Sequence, residues 1–149
     1  MVKIEHYTFE FLKELSVNNN REWFSSNKES YKRARSNFES FVQELIVRLS
    51  DEDKTLRGLE AKDCIFRINR DIRFSADKSP YKTNMGALII RGGRKNIHRI
   101  AGYYIHIEPG ESLTAGGAYM PPNEWLTAIR EKIIENPADV PSLKFFERF

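Results

Sequence analysis

The chain has 149 residues, of which 40% are apolar and 30% are charged, a balance typical of one globular domain with a single core. Its one cysteine, Cys64, excludes a disulfide framework within the chain, and no apolar run is long enough to cross a bilayer. The first six residues lack the apolar stretch of a signal peptide, so we expect a cytoplasmic protein.

The net charge of +3 conceals an uneven distribution. Residues 62–99 contain ten Lys or Arg and three Asp, a local net charge of +7, whereas the rest of the chain carries 14 basic and 18 acidic residues. A concentration of positive charge attracts anions, either phosphate-bearing small molecules or nucleic acid. The simpler interpretation is a solvated surface.

The N-terminal third of the sequence predicts helices. Thr8 is a candidate N-cap for a short helix that ends near Leu15, and Asn20 is a candidate N-cap for the helical segment that follows. Apolar residues then recur at spacings of three and four: Tyr31, Ala34, Phe38, Phe41, Leu45 and Leu49. This spacing predicts a long amphipathic helix.

The middle of the chain predicts strands. From residue 64 the apolar period becomes two, with one side of an extended chain formed by Cys64, Phe66, Ile68, Ile72 and Phe74. This pattern predicts a long strand, or two pieces with a bend, before the turn at Ser79-Pro80. Residues 85–90 are apolar on both faces and predict a central strand. Residues 100–108 alternate, and residues 112–120 predict a return strand.

The last third of the sequence predicts helices again. Pro121-Pro122 opens a helix whose apolar stripe comprises Trp125, Leu126, Ile129 and Ile133, and a last helical turn begins near Ser142. Helices, then consecutive strands, then helices predict a single α+β domain over residues 1–149. In this fold N-terminal helices pack on a mainly antiparallel sheet, and C-terminal helices follow.

Residues 67–82 carry the polar groups that could form a site. On a strand, residues two apart lie roughly 6.5–7 Å apart on one face, so Asp71 would lie between Asn69 and Arg73, with Arg67 one step further. Several guanidinium groups around one carboxylate leave donors that suit phosphate or carboxylate. Three further candidates follow on the adjoining loop, namely Lys78, Tyr81 and Lys82. If the strands pair as expected, Tyr104, His106 and Glu108 share this face.

Arg70 falls in phase with the apolar residues of this segment. A buried and unpaired charge is costly, so Arg70 must have a carboxylate partner, for which Asp77 and Glu108 are the candidates. We expect its main role to be structural.

Five segments resemble the domain of unknown function 2461 family of conserved hypothetical proteins. They are residues 19–24 (NNREWF), 65–84 (IFRINRDIRFSADKSPYKTN), 102–104 (GYY), 107–109 (IEP) and 116–121. The resemblance covers nearly the whole chain and implies an α+β fold. It brings no activity with it. Members of the family usually continue beyond the point equivalent to Phe149, so the resemblance implies a short or C-terminally truncated member.

The leading functional hypothesis is a domain that binds an anionic, phosphorylated small molecule, as a hydrolase or transferase would. Arg67, Arg73 and Lys78 would neutralise the anion with help from Lys82, and Asp71 would orient the arginines or act as a general base. His106 or Tyr81 would transfer a proton. The full set of predicted ligand-binding residues is Arg67, Asn69, Arg70, Asp71, Arg73, Asp77, Lys78, Lys82 and Glu108.

Two other interpretations stay open. The basic residues between 91 and 99 could form a hairpin that binds nucleic acid or a protein, with Tyr103 or Tyr104 stacking nearby. Alternatively, the charged cluster only braces the fold. The three histidines, His6, His98 and His106, lack the spacing of zinc ligands, so the sequence predicts neither a metal nor a cofactor.

Overall fold

The computed structural model describes residues 2–137, which form five α-helices and a three-stranded sheet. In chain order the elements are α1 (His6–Val17), α2 (Arg21–Ser26), α3 (Lys28–Glu52), α4 (Ala61–Cys64), β1 (Met85–Ile89), β2 (Gly102–Ile107), β3 (Leu113–Gly117) and α5 (Asn123–Glu135). The predicted α+β class and the order of helices and strands are confirmed.

The first two helices follow the predicted order, but one predicted cap is wrong. The Asn20 side chain accepts a hydrogen bond from the Trp23 backbone N–H at 2.9 Å and caps α2 as expected. Thr8 is not a cap, because α1 already begins at His6. Thr8 is buried, and its hydroxyl donates to Asn37 Oδ1 at 2.8 Å. It therefore joins α1 to α3.

The long amphipathic helix is confirmed as α3, which runs for 25 residues. Its buried residues recur every four positions, at Ala34, Phe38, Val42 and Ile46. These side chains meet α1 and the inner face of the sheet in one apolar core. Because most helical stability comes from such packing, this face accounts for the length of α3.

The sheet is antiparallel with the order β1-β2-β3, so the predicted central position of β1 is wrong. β2 lies in the middle, although β1 is the strand that is buried throughout. Met85 pairs with Ile107 and Gly102 with Gly117, which fixes the register of both ladders. The inner face, which includes Ala87, Ile105 and Ile107, packs on the helices.

The other side of the sheet is termed the open face. Because side chains alternate along each strand, it carries Gly86, Leu88, Tyr104, His106 and Ala115.

The predicted strand over residues 64–75 is wrong. Cys64 ends α4, and the segment forms only two isolated bridges, Ile65 to Ala87 and Asn69 to Tyr81. Phe74, expected on the apolar face, is 96% exposed. An alternating sequence forms a strand only where a neighbouring strand hydrogen-bonds to it. Here the chain leaves β1 after residue 66 and forms a loop instead.

The C-terminal helix is present as α5, directly after Pro122. No α5 residue is buried, and two residues of its predicted stripe, Ile129 and Ile133, are 48% and 42% exposed. The helical turn predicted near Ser142 lies outside the described residues. Among residues 2–137, no helix is long and apolar enough to cross a membrane.

Candidate functional site

Residues 70–80 form a loop, termed the 70–80 loop, that contains most of the predicted charged cluster. Its base is closed by backbone hydrogen bonds from Arg70 N to Pro80 O at 2.9 Å and from Lys82 N to Ile68 O at 2.8 Å. Above this base Arg70 forms an ion pair with Asp77, one of the two partners expected from the sequence. Arg70 thus ties the two sides of the loop together.

Asp77 is further held by Ser79. The Ser79 hydroxyl and backbone N–H donate to Asp77 Oδ1 at 2.6 and 2.8 Å. These two bonds, together with Arg70, hold the pKa of Asp77 well below its usual range. The carboxylate therefore stays ionised, and its hydrogen bonds and ion pair stabilise the loop.

Asp71 and Arg73 form a second, more exposed pair. Arg73 Nε and Nη2 donate to the two Asp71 oxygens at 2.9 and 2.7 Å. These bonds lower the pKa of Asp71, with a smaller contribution from the Arg67 charge. Lys78 Nζ donates to the Ile72 carbonyl at 3.1 Å. The donors of Arg73 and Lys78 are thus directed at the loop itself.

Arg67 and Lys82 differ from Arg70 and Arg73, which pair with carboxylates. Among residues 2–137, neither forms an ion pair with a carboxylate. Burial, and then the nearby Arg67 charge, lowers the pKa of Lys82. The Lys82 ammonium lies 5.3 Å from the centre of the Phe66 ring. The Arg67 charge thus acts on both Lys82 and Asp71, and Lys82 has no ion-pair partner among residues 2–137.

Lys82 lines a cavity of about 520 Å³ on the open face of the sheet. The walls are mainly apolar or aromatic, and the lining residues are Phe66, Lys82, Leu88, Ile97, Gly102, Tyr104 and residues 115–119. Sites for small organic ligands occupy about 300–1,000 Å³ and combine apolar walls with a few polar groups. This cavity has that size and that composition.

A hydrogen-bonded chain of side chains leads away from this cavity along β2. The Tyr104 hydroxyl lies 3.0 Å from His106 Nδ1, and His106 Nε2 lies 2.9 Å from Glu108 Oε2. The Thr83 hydroxyl donates to Glu108 Oε1 at 2.6 Å. Residues 104, 106 and 108 share one face because strand side chains alternate, as the sequence predicts.

The electrostatics of this chain follow from its contacts. Burial raises the pKa of Glu108, but hydrogen bonds from Thr83 and His106 outweigh it, so the net pKa is below the ordinary value. Burial, then Glu108 and Tyr119, raises the pKa of the Tyr104 phenol. Glu108 is therefore a carboxylate at neutral pH, and Tyr104 keeps its proton.

Gly86 makes room for the Tyr104 side chain. A Cβ atom at position 86 would lie 3.1 Å from the Tyr104 hydroxyl and 3.5 Å from the Phe66 and Tyr104 rings. Glycine therefore lets the phenol lie directly over β1, beside the cavity. Gly86, Thr83 and Phe66 were not among the predicted site residues, and only their proximity in the fold reveals their roles.

The remaining predicted residues take other positions. Tyr81 is buried and stacks on Phe24 with ring centres 3.9 Å apart, and its backbone is bound by the Asn19 side chain. Asn69 is exposed and bridges to Tyr81. Among residues 2–137, no group of three or more His, Cys, Asp or Glu side chains is placed to hold a metal ion.

Comparison with known families assigns the class of this protein. The family model of the conserved hypothetical proteins DUF2461 matches residues 7–149, which includes the 70–80 loop and the whole sheet. The chain belongs to this family. No curated protein and no solved structure matches the chain.

Proposed function

We propose that the protein binds an anionic, phosphorylated small molecule in the cavity on the open face of the sheet. Lys82 and Arg67 are the anion-binding groups of this proposal. The observation that carries it is Lys82 at the cavity wall, which has no ion-pair partner among residues 2–137 and whose pKa is lowered by burial and by the positive charge of Arg67.

Lys82 carries a charge that its surroundings in the folded protein destabilise. An ammonium that is partly removed from water and faces a like charge is destabilised, which is why its pKa is lowered. An anion in the cavity would supply the missing opposite charge. Since charge-assisted hydrogen bonds are stronger than neutral ones, a phosphate group would gain more here than a neutral ligand. Binding would also raise the pKa of Lys82.

The rest of the ligand would contact the apolar walls. Phe66, Leu88 and Tyr104 present rings or branched carbon chains, while Gly116 and Gly117 leave the opposite wall without side chains. Such surfaces favour a flat organic group. The ligand class of the proposal is therefore a phosphate or phosphate ester that carries a planar apolar moiety.

The 70–80 loop has a supporting role in this proposal. The carboxylates of Asp71 and Asp77 pair with Arg73 and Arg70, which fits the interpretation that this part of the cluster braces the fold. Bracing does not account for Lys82, whose charge is placed at the cavity wall at an electrostatic cost. The loop would hold the backbone of Lys82 through its base.

The proposal is tested by thermal-shift measurements at constant ionic strength with inorganic phosphate, sulfate and phenyl phosphate. A ligand at about 100 times its Kd stabilises a protein by roughly 2.7 kcal/mol, a shift of several degrees for a domain of this size. Phenyl phosphate should raise the melting temperature more than phosphate does. Lys82→Met, which keeps the carbon chain over Phe66, should abolish the shift.

Lys95→Met is the matched control, because Lys95 is an exposed lysine outside the cavity. It should retain the full shift. No shift in the wild-type protein, or an equal shift in Lys82→Met, would contradict the proposal.

The alternative function uses residues 90–101 between β1 and β2, a segment termed the basic connection. Its four basic residues Arg91, Arg94, Lys95 and Arg99 are all exposed, which favours contact with a polyanion. Steeply salt-dependent binding to nucleic acid, abolished by Lys95→Met with Arg99→Met, would support this alternative. Both proposals assume a cytoplasmic location, as expected from the single cysteine.

A further inference from the structure

We infer that Tyr104 is a nucleophile activated by His106 and Glu108, which makes the cavity a site of phosphoryl transfer from phosphate esters. This inference rests on the proposed function for its substrate class. Its own foundation is the geometry of the hydrogen-bonded chain beside the cavity.

The order of donors and acceptors follows from Glu108. A carboxylate only accepts hydrogen bonds, so His106 Nε2 must carry the hydrogen that it shares with Glu108. In the neutral imidazole the other nitrogen, Nδ1, is then an acceptor. In that tautomer the Tyr104 hydroxyl, 3.0 Å away, donates to His106 Nδ1. His106 is positioned to take the phenolic proton.

The Glu108 end of the chain is held by two further hydroxyl groups. Thr83 donates to the second oxygen of Glu108, and the Ser112 hydroxyl accepts from the Glu108 backbone N–H at 3.0 Å. The side chains of His106 and Glu108 are only 16% and 22% exposed. An oriented carboxylate, a base and a hydroxyl in sequence are the arrangement that activates a nucleophile in covalent catalysis.

Tyr104 is the nucleophile of this inference because of where its phenol lies. Tyr104 lines the cavity, as does Lys82, whereas neither His106 nor Glu108 lines it. A phenol that keeps its proton at neutral pH is a weak nucleophile unless a base removes that proton as it reacts. His106 is in hydrogen-bond contact with the phenol, and Lys82 adjoins the same space to balance the charge of a phosphate.

The transfer has two balanced steps. The Tyr104 oxygen attacks phosphorus, its proton passes to His106, and the ester P–O bond breaks with the alkoxide taking that proton from His106 to leave as an alcohol. Water then attacks the phosphotyrosine, and His106 accepts the proton of the water. Inorganic phosphate leaves as the protonated His106 returns its proton to the Tyr104 oxygen. Glu108 remains ionised and stabilises the imidazolium.

The reactivity of Tyr104 is measured with 4-(fluorosulfonyl)benzoate, an anionic aryl sulfonyl fluoride. The phenolic oxygen forms a bond to sulfur, fluoride leaves, and the proton passes to His106, so each labelled tyrosine gains one arylsulfonyl group. Peptide mass spectrometry gives the rate at every tyrosine of the folded protein. Tyr104 should react at least about tenfold faster than Tyr103 and Tyr119, because general-base assistance contributes about 10²–10⁴ in rate.

The variants separate activation from folding. His106→Asn and Glu108→Gln should reduce labelling of Tyr104 toward that of Tyr103, with circular dichroism spectra unchanged. His6→Asn is the matched control, because His6 is an exposed histidine on α1, outside the cavity, that pairs with Glu10. It should label at the wild-type rate. Equal labelling of Tyr104 and Tyr103 in the wild-type protein would overturn the inference.

The same experiment distinguishes the inference from the proposed function. Rapid labelling of Tyr104 that neither inorganic phosphate nor Lys82→Met slows would support the activated phenol and refute the anion site. Phosphate-sensitive labelling of Lys82, with Tyr104 unreactive, would support the anion site and overturn the activated phenol.

Discussion

Asn19 shows how one side chain of the N-terminal motif fixes the segment that carries the site. Its amide nitrogen donates to the Tyr81 carbonyl at 2.9 Å, and its carbonyl oxygen accepts from the Tyr81 N–H at 3.1 Å. Both polar backbone groups of a buried residue are therefore satisfied by one asparagine. Its neighbour Asn20 only caps α2.

The two asparagines should differ in their effect on stability. Asn19→Ala leaves two buried backbone groups without partners and should cost about 2–6 kcal/mol, because each unsatisfied group costs about 1–3 kcal/mol. Asn20→Ala should cost about 1 kcal/mol, the usual loss for an N-cap. Urea denaturation measures both. Equal losses would contradict this role of Asn19.

Cys64 should be chemically inert in the folded protein. Burial raises the pKa of its thiol to about 11, so the reactive thiolate is scarce at pH 8. A chromogenic disulfide reagent should modify no thiol in the native protein and one after unfolding in urea. Above pH 9 the unfolded thiol ionises while the folded one stays protonated, so this group makes stability fall as pH rises to about 11. Rapid modification of the native protein would contradict this.

At the residue scale, the ion-pair partner of a charged residue was easier to predict than the burial of an apolar one. The requirement that an inward-phased arginine be paired predicted a carboxylate partner for Arg70, and Asp77 is that partner. The same pattern placed Phe74 in the core, yet Phe74 is exposed. An unpaired buried charge costs so much that it restricts the fold, whereas one exposed phenylalanine costs little.

At the scale of elements, the sheet depends on close approach at Gly102. A Cβ atom there would lie 2.8 Å from the Ile89 backbone oxygen and 3.0 Å from Ile90 Cβ. At Gly116 on the neighbouring strand the nearest atom would be 4.0 Å away. A side chain at position 102 would therefore clash with its neighbours, whereas a side chain at position 116 would have room.

The predicted consequence is a large difference between two identical substitutions. Gly102→Ala must displace backbone, so it should destabilise the protein by about 1–3 kcal/mol, the usual cost of overpacking. Gly116→Ala should change stability by no more than about 0.5 kcal/mol. Thermal denaturation of both variants provides the measurement. Comparable losses would show that the contact at Gly102 is not as described.

Periodicity predicted the helices better than the strands. In α3 the apolar spacing continues from Tyr31 to Leu49, so the existence of the helix followed from the sequence. Its buried face followed only in part, because Val42 and Ile46 are buried but were not in the predicted stripe. Over residues 64–75 the alternation of apolar and polar residues did not determine which strand, if any, the segment would pair with. The Arg70–Asp77 pair and the Ser79 hydrogen bonds to Asp77 close the 70–80 loop there. Those contacts join residues seven and two positions apart, which the apolar period alone does not encode.

At the scale of the whole molecule, the basic quarter of the chain is divided into three parts. The 70–80 loop pairs two of its three cationic side chains, Arg70 and Arg73, with its own carboxylates, and the basic connection exposes its charges to solvent. Between them Lys82 lines the cavity. The sequence predicted the segment and most of its charged residues. The sequence did not predict how these basic residues divide into three groups, because that depends on which of their donors bond to other groups of the 70–80 loop.

The most direct test of the anion site is a two-dimensional ¹H–¹⁵N NMR titration of the folded protein with phenyl phosphate at constant ionic strength. The account predicts saturable shifts in the amide signals of Lys82, Tyr104 and Gly117, which lie around one cavity, and their loss in Lys82→Met. Shifts centred on Arg94 and Arg99, or no saturable shift at all, would contradict it.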